Sequence, residues 1–264
     1  MYVERDGVKL FYDVQGDGDP TLLFVHGWMM SHEVWREQVP VFSQDHKVVS
    51  IGLRGFGQSD KPDGEYTLEL FADDIDFMVG ELGLNKPVFI GWSMGASIGL
   101  LYATAHSERL SKLVLVDGTP LLIASEDFNH AIPPEAGEQL VGALQADFTG
   151  GARAFVDLMF PEPGIDELKN WVHGITQQTK QAIALNTIAN VGGRDLRVLL
   201  KQISLPTLIL YGEQDQVCLP GASRYMHEQI QNSDIYEFPG KGHVPFLTDS
   251  EEFNKRLRAF LSNR

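Results

Sequence analysis

The chain has 264 residues, 43% hydrophobic and 22% charged, which is the composition of a globular protein holding one large domain, or one domain with an insertion. Its 36 acidic and 21 basic residues give a formal net charge of −15, which disfavours nucleic acid, anionic membrane surfaces and acidic protein partners. The single cysteine, Cys218, excludes an internal disulfide framework, no leader-like stretch opens the chain, and no apolar run approaches the ~18 residues of a membrane helix, so a cytoplasmic protein is expected.

Residues 8–14 alternate apolar and polar (Val8, Leu10, Tyr12, Val14) as a half-buried strand does, and a turn follows at 16–20. Residues 21–25 form an apolar strand ending at His26-Gly27, and residues 47–51 form another, ending in a glycine-punctuated loop at 52–57. Thr67 is placed to cap a helix whose buried stripe is Leu68, Phe71, Ile75, Met78, Val79 and Leu82. A short apolar strand at 87–90 leads through Gly91-Trp92-Ser93-Met94-Gly95 into a helix over 96–105, and a further strand occupies 113–116. The rhythm then changes. Residues 120–200 show helical stretches at 138–147, 152–160 and 171–186, with breaks at 133–134, 150–151, 161–164 and 192–193. Strands resume at 206–211 and 234–238. A closing helix follows, for which Asp249 and Glu252 read as a capping box and Phe253, Leu257, Phe260 and Leu261 as the buried stripe. Apolar strands alternating with amphipathic helices predict a mostly parallel sheet covered on both faces. The chain divides into a first core part at 1–119, a helical lid at 120–193 and a second core part at 194–264.

The segment around Ser93 carries the chemistry. A serine on so tight a strand-to-helix turn adopts strained backbone angles, and only glycine-sized neighbours let strand and helix approach. A hydroxyl there needs a base, and the base needs an orienting acid. His243, in the glycine-bracketed loop Gly240-Lys241-Gly242-His243-Val244-Pro245 after the last strand, is the candidate base. His32, His46, His106, His130, His173 and His227 sit on helix faces or in polar loops with nothing else to mark them. Asp215, directly after the strand at 206–211, is the candidate acid. Asp117, ending the strand at 113–116, is its rival, the alternative for Asp117 being a structural bond to the loop at Gly118-Thr119. The backbone N–H groups of Met94 and Trp28 are the candidate oxyanion donors. His26 reads as a loop-stabilising residue. The Arg54-Gly55-Phe56-Gly57-Gln58-Ser59 turn lacks the lysine and hydroxyl of a phosphate loop. No cluster has metal-ligand spacing and no dinucleotide fingerprint is present, so neither metal nor cofactor is expected.

With these pieces in the order His26-Gly27-Trp28, Arg54 to Ser59, Gly91 to Gly95, Gly212 to Asp215 and Gly242 to Pro245, the chain resembles the α/β-hydrolase superfamily over nearly its full length. The resemblance implies the α/β-hydrolase fold with a mostly parallel eight-stranded sheet, a Ser93-Asp215-His243 triad, and a small-molecule ester as substrate for a monomer or homodimer. The chain departs from many relatives at Gly52, where they carry an aspartate, which bears on the firmness of the Arg54 turn. Ser93 disfavours the dehalogenase and epoxide hydrolase branches, whose nucleophile is aspartate. Trp28, Gly91-Trp92-Ser93 and the nearby Glu33-Val34-Trp35-Arg36 look like the pimeloyl-carrier-protein methyl ester esterase branch, which holds an acidic carrier with basic lid residues. Here residues 120–193 offer Arg153, Lys169 and Lys180 against Glu126, Asp127, Glu135, Glu138, Asp147, Asp157, Glu162, Asp166 and Glu167. A carboxylesterase acting on small to medium acyl esters is therefore the preferred expectation. The carrier-ester esterase, a carbon–carbon bond hydrolase, a cofactor-free perhydrolase and a hydrolase-fold ligand receptor stand as alternatives.

Overall fold

The structure, a computed structural model, describes residues 1–262. Among them, eight strands form one sheet: β1 (Tyr2–Arg5), β2 (Val8–Gln15), β3 (Leu22–Val25), β4 (Val48–Ile51), β5 (Val88–Trp92), β6 (Lys112–Val116), β7 (Thr207–Gly212) and β8 (Ser233–Phe238), in the order β1-β2-β4-β3-β5-β6-β7-β8. The first two strands pair antiparallel and β2 meets β4 antiparallel, while every pairing from β4 onward is parallel. Strands β3, β4, β5 and β7 are buried along their whole length, which is why they read as uninterrupted apolar runs. The strand that the sequence pattern does not mark is β1, whose residues are only half-buried or exposed at the sheet edge, with Tyr2 opposite Phe11 and Val3 opposite Leu10.

The helices are α1 (Val39–Phe42), α2 (Leu68–Glu81), α3 (Met94–Ala105), α4 (Pro134–Ala146), α5 (Phe148–Met159), α6 (Asp166–Thr176), α7 (Gln181–Val191), α8 (Pro220–Gln229), α9 (Pro245–Thr248) and α10 (Ser250–Ser262). Thr67 caps α2 as expected, its Oγ1 accepting the Leu70 N–H at 3.1 Å. Four of these helices, α4 to α7, fall between β6 and β7, in the segment expected to depart from the sheet. No described helix is long and apolar enough to cross a membrane.

Three local expectations are corrected. The helix expected over 171–186 is two helices, because Lys180 takes an extended backbone (φ −71°, ψ 137°) and its carbonyl opens α7 by accepting Ile183 and Ala184 N–H groups. The break expected at Gly150-Gly151 falls instead at Asp147, extended at φ −148°, which ends α4 and opens α5. The Asp249/Glu252 capping box does not form. The Asp249 N–H closes α9 onto the Pro245 carbonyl at 2.8 Å, and the Glu252 carboxylate accepts from Lys255 (2.9 Å) and Arg256 (2.7 Å).

Because β3 to β8 run parallel, their carboxyl ends lie along one edge. That edge carries His26 after β3, the 52–57 turn after β4, Ser93 after β5, Asp117 after β6, Asp215 after β7 and His243 after β8. Residues as far apart in the chain as His26 and His243 are brought to one place by the topology alone.

Candidate active site

Ser93 stands between β5 and α3 at φ 56°, ψ −118°, a left-handed conformation costly to a side-chain-bearing residue. The glycines two positions to either side make it possible: a Cβ on Gly91 would strike the Gly95 backbone, and one on Gly95 would strike the Val25 and His26 carbonyls. The turn's first peptide is anchored by the Ser93 N–H on the Val116 carbonyl (2.9 Å).

His243 and Asp215 meet. The imidazole Nδ1 donates to Asp215 Oδ2 at 2.8 Å, with both side chains buried. The other Asp215 oxygen accepts the Val217 and Cys218 N–H groups at 2.8 and 3.1 Å, so the carboxylate is fixed by its own loop. Nε2 of His243 is buried and has no hydrogen-bond partner among the described residues. With Nδ1 committed to a carboxylate, Nε2 is the nitrogen left to receive a proton. The loop bearing His243 is held from three sides: Trp92 Nε1 donates to its carbonyl (2.8 Å), its N–H donates to the Met159 carbonyl (2.9 Å), and Glu162 Oε1 accepts from Gly242 N–H and Thr248 Oγ1, both at 3.0 Å. The residue before the serine therefore braces the histidine.

The 26–28 loop lies against Ser93. A Cβ on Gly27 would sit 3.1 Å from the Ser93 Cβ, and the Trp28 indole fixes the loop by donating to the Ala184 carbonyl of α7 at 3.1 Å. The backbone N–H groups of Trp28, in the loop after β3, and of Met94, at the start of α3, have no acceptor among the described residues, and unpaired donors are what an oxyanion needs. His26 is a loop brace. Leu53 N–H donates to its Nε2 (3.0 Å), which leaves the proton on Nδ1, 2.7 Å from the Gly27 carbonyl it donates to. Burial lowers its pKa from 6.5 to about 3, with the charge of His32 adding and the Gly27 bond opposing. The 52–57 turn is firm despite Gly52. Ser59 Oγ donates to the Gly52 carbonyl (2.6 Å) and accepts the Phe11 N–H (2.8 Å), and Arg54 grips the buried Asp74 through Nε (2.7 Å) and Nη2 (2.6 Å).

Asp117 does not bond to the Gly118-Thr119 loop. Its Oδ1 accepts the Gly212 N–H at 2.8 Å, and ligand atoms of Asp117, Asp215 and His243 lie within 4.8 Å of one another. Such a trio resembles a cation site, yet Asp215 and His243 spend their inner atoms on each other and on backbone N–H groups. The sequence spacing gave no sign of this cluster, because its members follow three different strands.

Ser93, Met94 and Trp28 open into a cavity of about 110 Å³ whose outer wall includes Leu121, Ile132, Leu140, Phe155 and Ile188, all from the segment between β6 and β7. Cys218 lines the same cavity as Ser93. Burial, followed by the charges of Asp215 and Asp117, raises its thiol pKa well above the ordinary value, and the Ser93 hydroxyl opposes this. Sequence reasoning missed this neighbour. The signal available was its position three residues after Asp215 in the same loop.

A model of the alpha/beta hydrolase fold matches residues 20–250, a span containing Trp28, Ser93, Met94, Asp117, Asp215 and His243. The chain belongs to the alpha/beta hydrolase family. It is 30% identical over 264 aligned residues to a pimeloyl-[acyl-carrier protein] methyl ester esterase of Aliivibrio fischeri, covering 96% of this chain and 98% of that protein. A bifunctional esterase/perhydrolase of Acinetobacter calcoaceticus is 29% identical over 97% of each chain. Among solved structures, an esterase from Exiguobacterium antarcticum superposes with a TM-score of 0.93 at 25% identity, covering 98% of this chain and 97% of that one.

Proposed function

We propose that this alpha/beta hydrolase is a serine carboxylesterase that cleaves small to medium acyl esters through an acyl-enzyme. The observation that carries the reading is the buried 2.8 Å bond from His243 Nδ1 to Asp215, which leaves Nε2 unpartnered at the edge that also carries the left-handed Ser93. Esterase relatives spanning nearly the full chain support it. Ser93 Oγ attacks the acyl carbonyl while His243 Nε2 takes its proton, and the carbonyl electron pair moves onto the oxygen facing the Trp28 and Met94 N–H groups. Collapse breaks the ester C–O bond, and His243 returns the proton to the departing alcohol. Water then repeats the sequence on the acyl-enzyme and releases the acid. Asp215 keeps the imidazole in the Nδ1–H tautomer and offsets the imidazolium that forms.

The segment 120–193 acts as the lid in this reading, since its apolar side chains wall the cavity and receive the acyl chain, each buried methylene contributing about 0.8 kcal/mol. Free esters are favoured over esters borne by an acidic carrier protein. Two of the three cations in the segment, Arg153 and Lys169, are already paired with Asp157 at 3.2 and 3.5 Å, so little positive charge remains to attract such a partner. The test is hydrolysis of p-nitrophenyl esters of increasing acyl length by the native protein and by Ser93→Ala, whose kcat is expected to fall by about 10⁴-fold or more. A folded Ser93→Ala protein that keeps its turnover overturns the reading. A carrier-bound methyl ester preferred by about tenfold or more in kcat/KM over the free ester overturns the substrate assignment.

A further inference from the structure

We propose that Asp117 is a neutral carboxylic acid whose Oδ2–H donates to the Asp215 carboxylate, making it a positioning residue behind the acid–histidine pair. Asp117 is wholly buried, and a carboxyl oxygen of Asp117 and one of Asp215 lie within 4.8 Å of each other beside His243. Two carboxylates this close and shut away from water cannot both hold a negative charge. Which one keeps it follows from the donors each receives. Asp215 has three: the Val217 and Cys218 N–H groups on Oδ1 and the His243 Nδ1–H on Oδ2. Asp117 has one, the Gly212 N–H on Oδ1, while its Oδ2 is buried with no donor directed at it. The proton belongs on that bare oxygen, where it satisfies Oδ2 and supplies Asp215 with a fourth donor.

The surroundings press the same way. Glu162 after α5, Asp215 and the Cys218 thiol in the loop after β7, and His243 after β8 are the titratable groups around Asp117. Burial first, then the charges of Asp215 and Glu162, hold the Asp117 carboxyl well above the usual carboxylate range, the Gly212 bond only partly opposing them. The backbone commits the residue to this place. Asp117 sits at φ 43°, with its N–H on the Leu210 carbonyl at 2.8 Å, so the side chain is held between the ends of β6 and β7 rather than drawn there by its charge. The consequence is that the site presents one negative charge, not two, to the imidazolium formed during turnover.

The kinetic part of the test rests on the esterase reading; the spectroscopic part does not. An asparagine amide in place of the Asp117 carboxyl would be neutral, would accept from Gly212 and would donate to Asp215. Asp117→Asn is therefore expected to keep kcat within about threefold and to leave the acid limb of the kcat/KM–pH profile in place. Asp117→Leu, which cannot donate, is expected to lose about tenfold or more in kcat with little change in KM. A fall of about one pH unit in that limb's midpoint in Asp117→Asn would mean that a negative charge had been removed beside His243, and would overturn the proposal. In the infrared difference between the native protein and Asp117→Asn near neutral pH, a protonated-carboxyl C=O band belonging to the native protein is expected. Its absence overturns the proposal whether or not the protein cleaves esters.

Discussion

Replacing His26 by glutamine isolates the acid sensitivity built into the loop beside Ser93. In the folded protein His26 is buried and neutral, and Nε2 is occupied by the Leu53 N–H, so there is no room for a second ring proton. Its folded pKa of about 3 lies below the ordinary 6.5. Between those two values the unfolded chain binds a proton that the native protein refuses, so the contribution to stability is complete above 6.5 and drains away as the pH falls. The slope is about 1.4 kcal/mol per pH unit, the whole effect about 5 kcal/mol, and the part lost between about pH 7.5 and pH 5 about 2 kcal/mol. A glutamine amide can donate to the Gly27 carbonyl and accept from Leu53 without titrating. The assay is urea unfolding of both proteins at the two pH values. His26→Gln is expected to lose about 2 kcal/mol less than the native protein on acidification, whatever its stability at neutral pH. His32, also lowered chiefly by burial, and Asp117, raised, contribute equally to both proteins and cancel. A difference of differences under about 0.5 kcal/mol refutes the reasoning, because it would mean that the buried ring accepts its proton in the fold.

Asp215→Asn should lower kcat by about 10⁴-fold, the scale of a wrong imidazole tautomer; a loss under about tenfold, measured on the same ester, would transfer the acid role elsewhere. Asp74→Ala strips Arg54 of its bidentate partner, and chemical denaturation should show about 3 kcal/mol or more of lost stability, since a buried guanidinium is left uncompensated. Cys218 should react with iodoacetamide far more slowly than the same cysteine in denatured protein, because its thiol is buried and its pKa raised; once alkylated, the enzyme should be inactive, since the adduct fills space beside Ser93. Rapid labelling of the native protein with full retention of activity would contradict the placement of that side chain.

The features legible in the residues alone are local ones. Apolar runs of four or five residues specify strands buried on both faces, Thr67 specifies a cap, and Gly91 and Gly95 specify a turn that only a sheet-to-helix crossing can use, so the fold class and Ser93 can be read without coordinates. β1 escaped because an edge strand of exposed and half-buried residues carries no buried run. The Lys180 and Asp147 breaks escaped because single extended residues leave no proline or glycine to mark them. The site is a different matter. That Asp215 rather than Asp117 reaches His243 depends on how the loops after β6 and β7 dispose their side chains. It is decided by the Val217 and Cys218 N–H groups that fix one carboxylate and the Gly212 N–H that fixes the other. The brace from Trp92 to His243 spans 151 residues and the one from Trp28 to Ala184 spans 156. No spacing rule relates positions so far apart, because the parallel order of the strands brings their carboxyl ends to one edge and the packing of α7 brings Ala184 to Trp28. Residue identity limits which groups can do chemistry, and the folded arrangement of the strand ends selects the ones that touch.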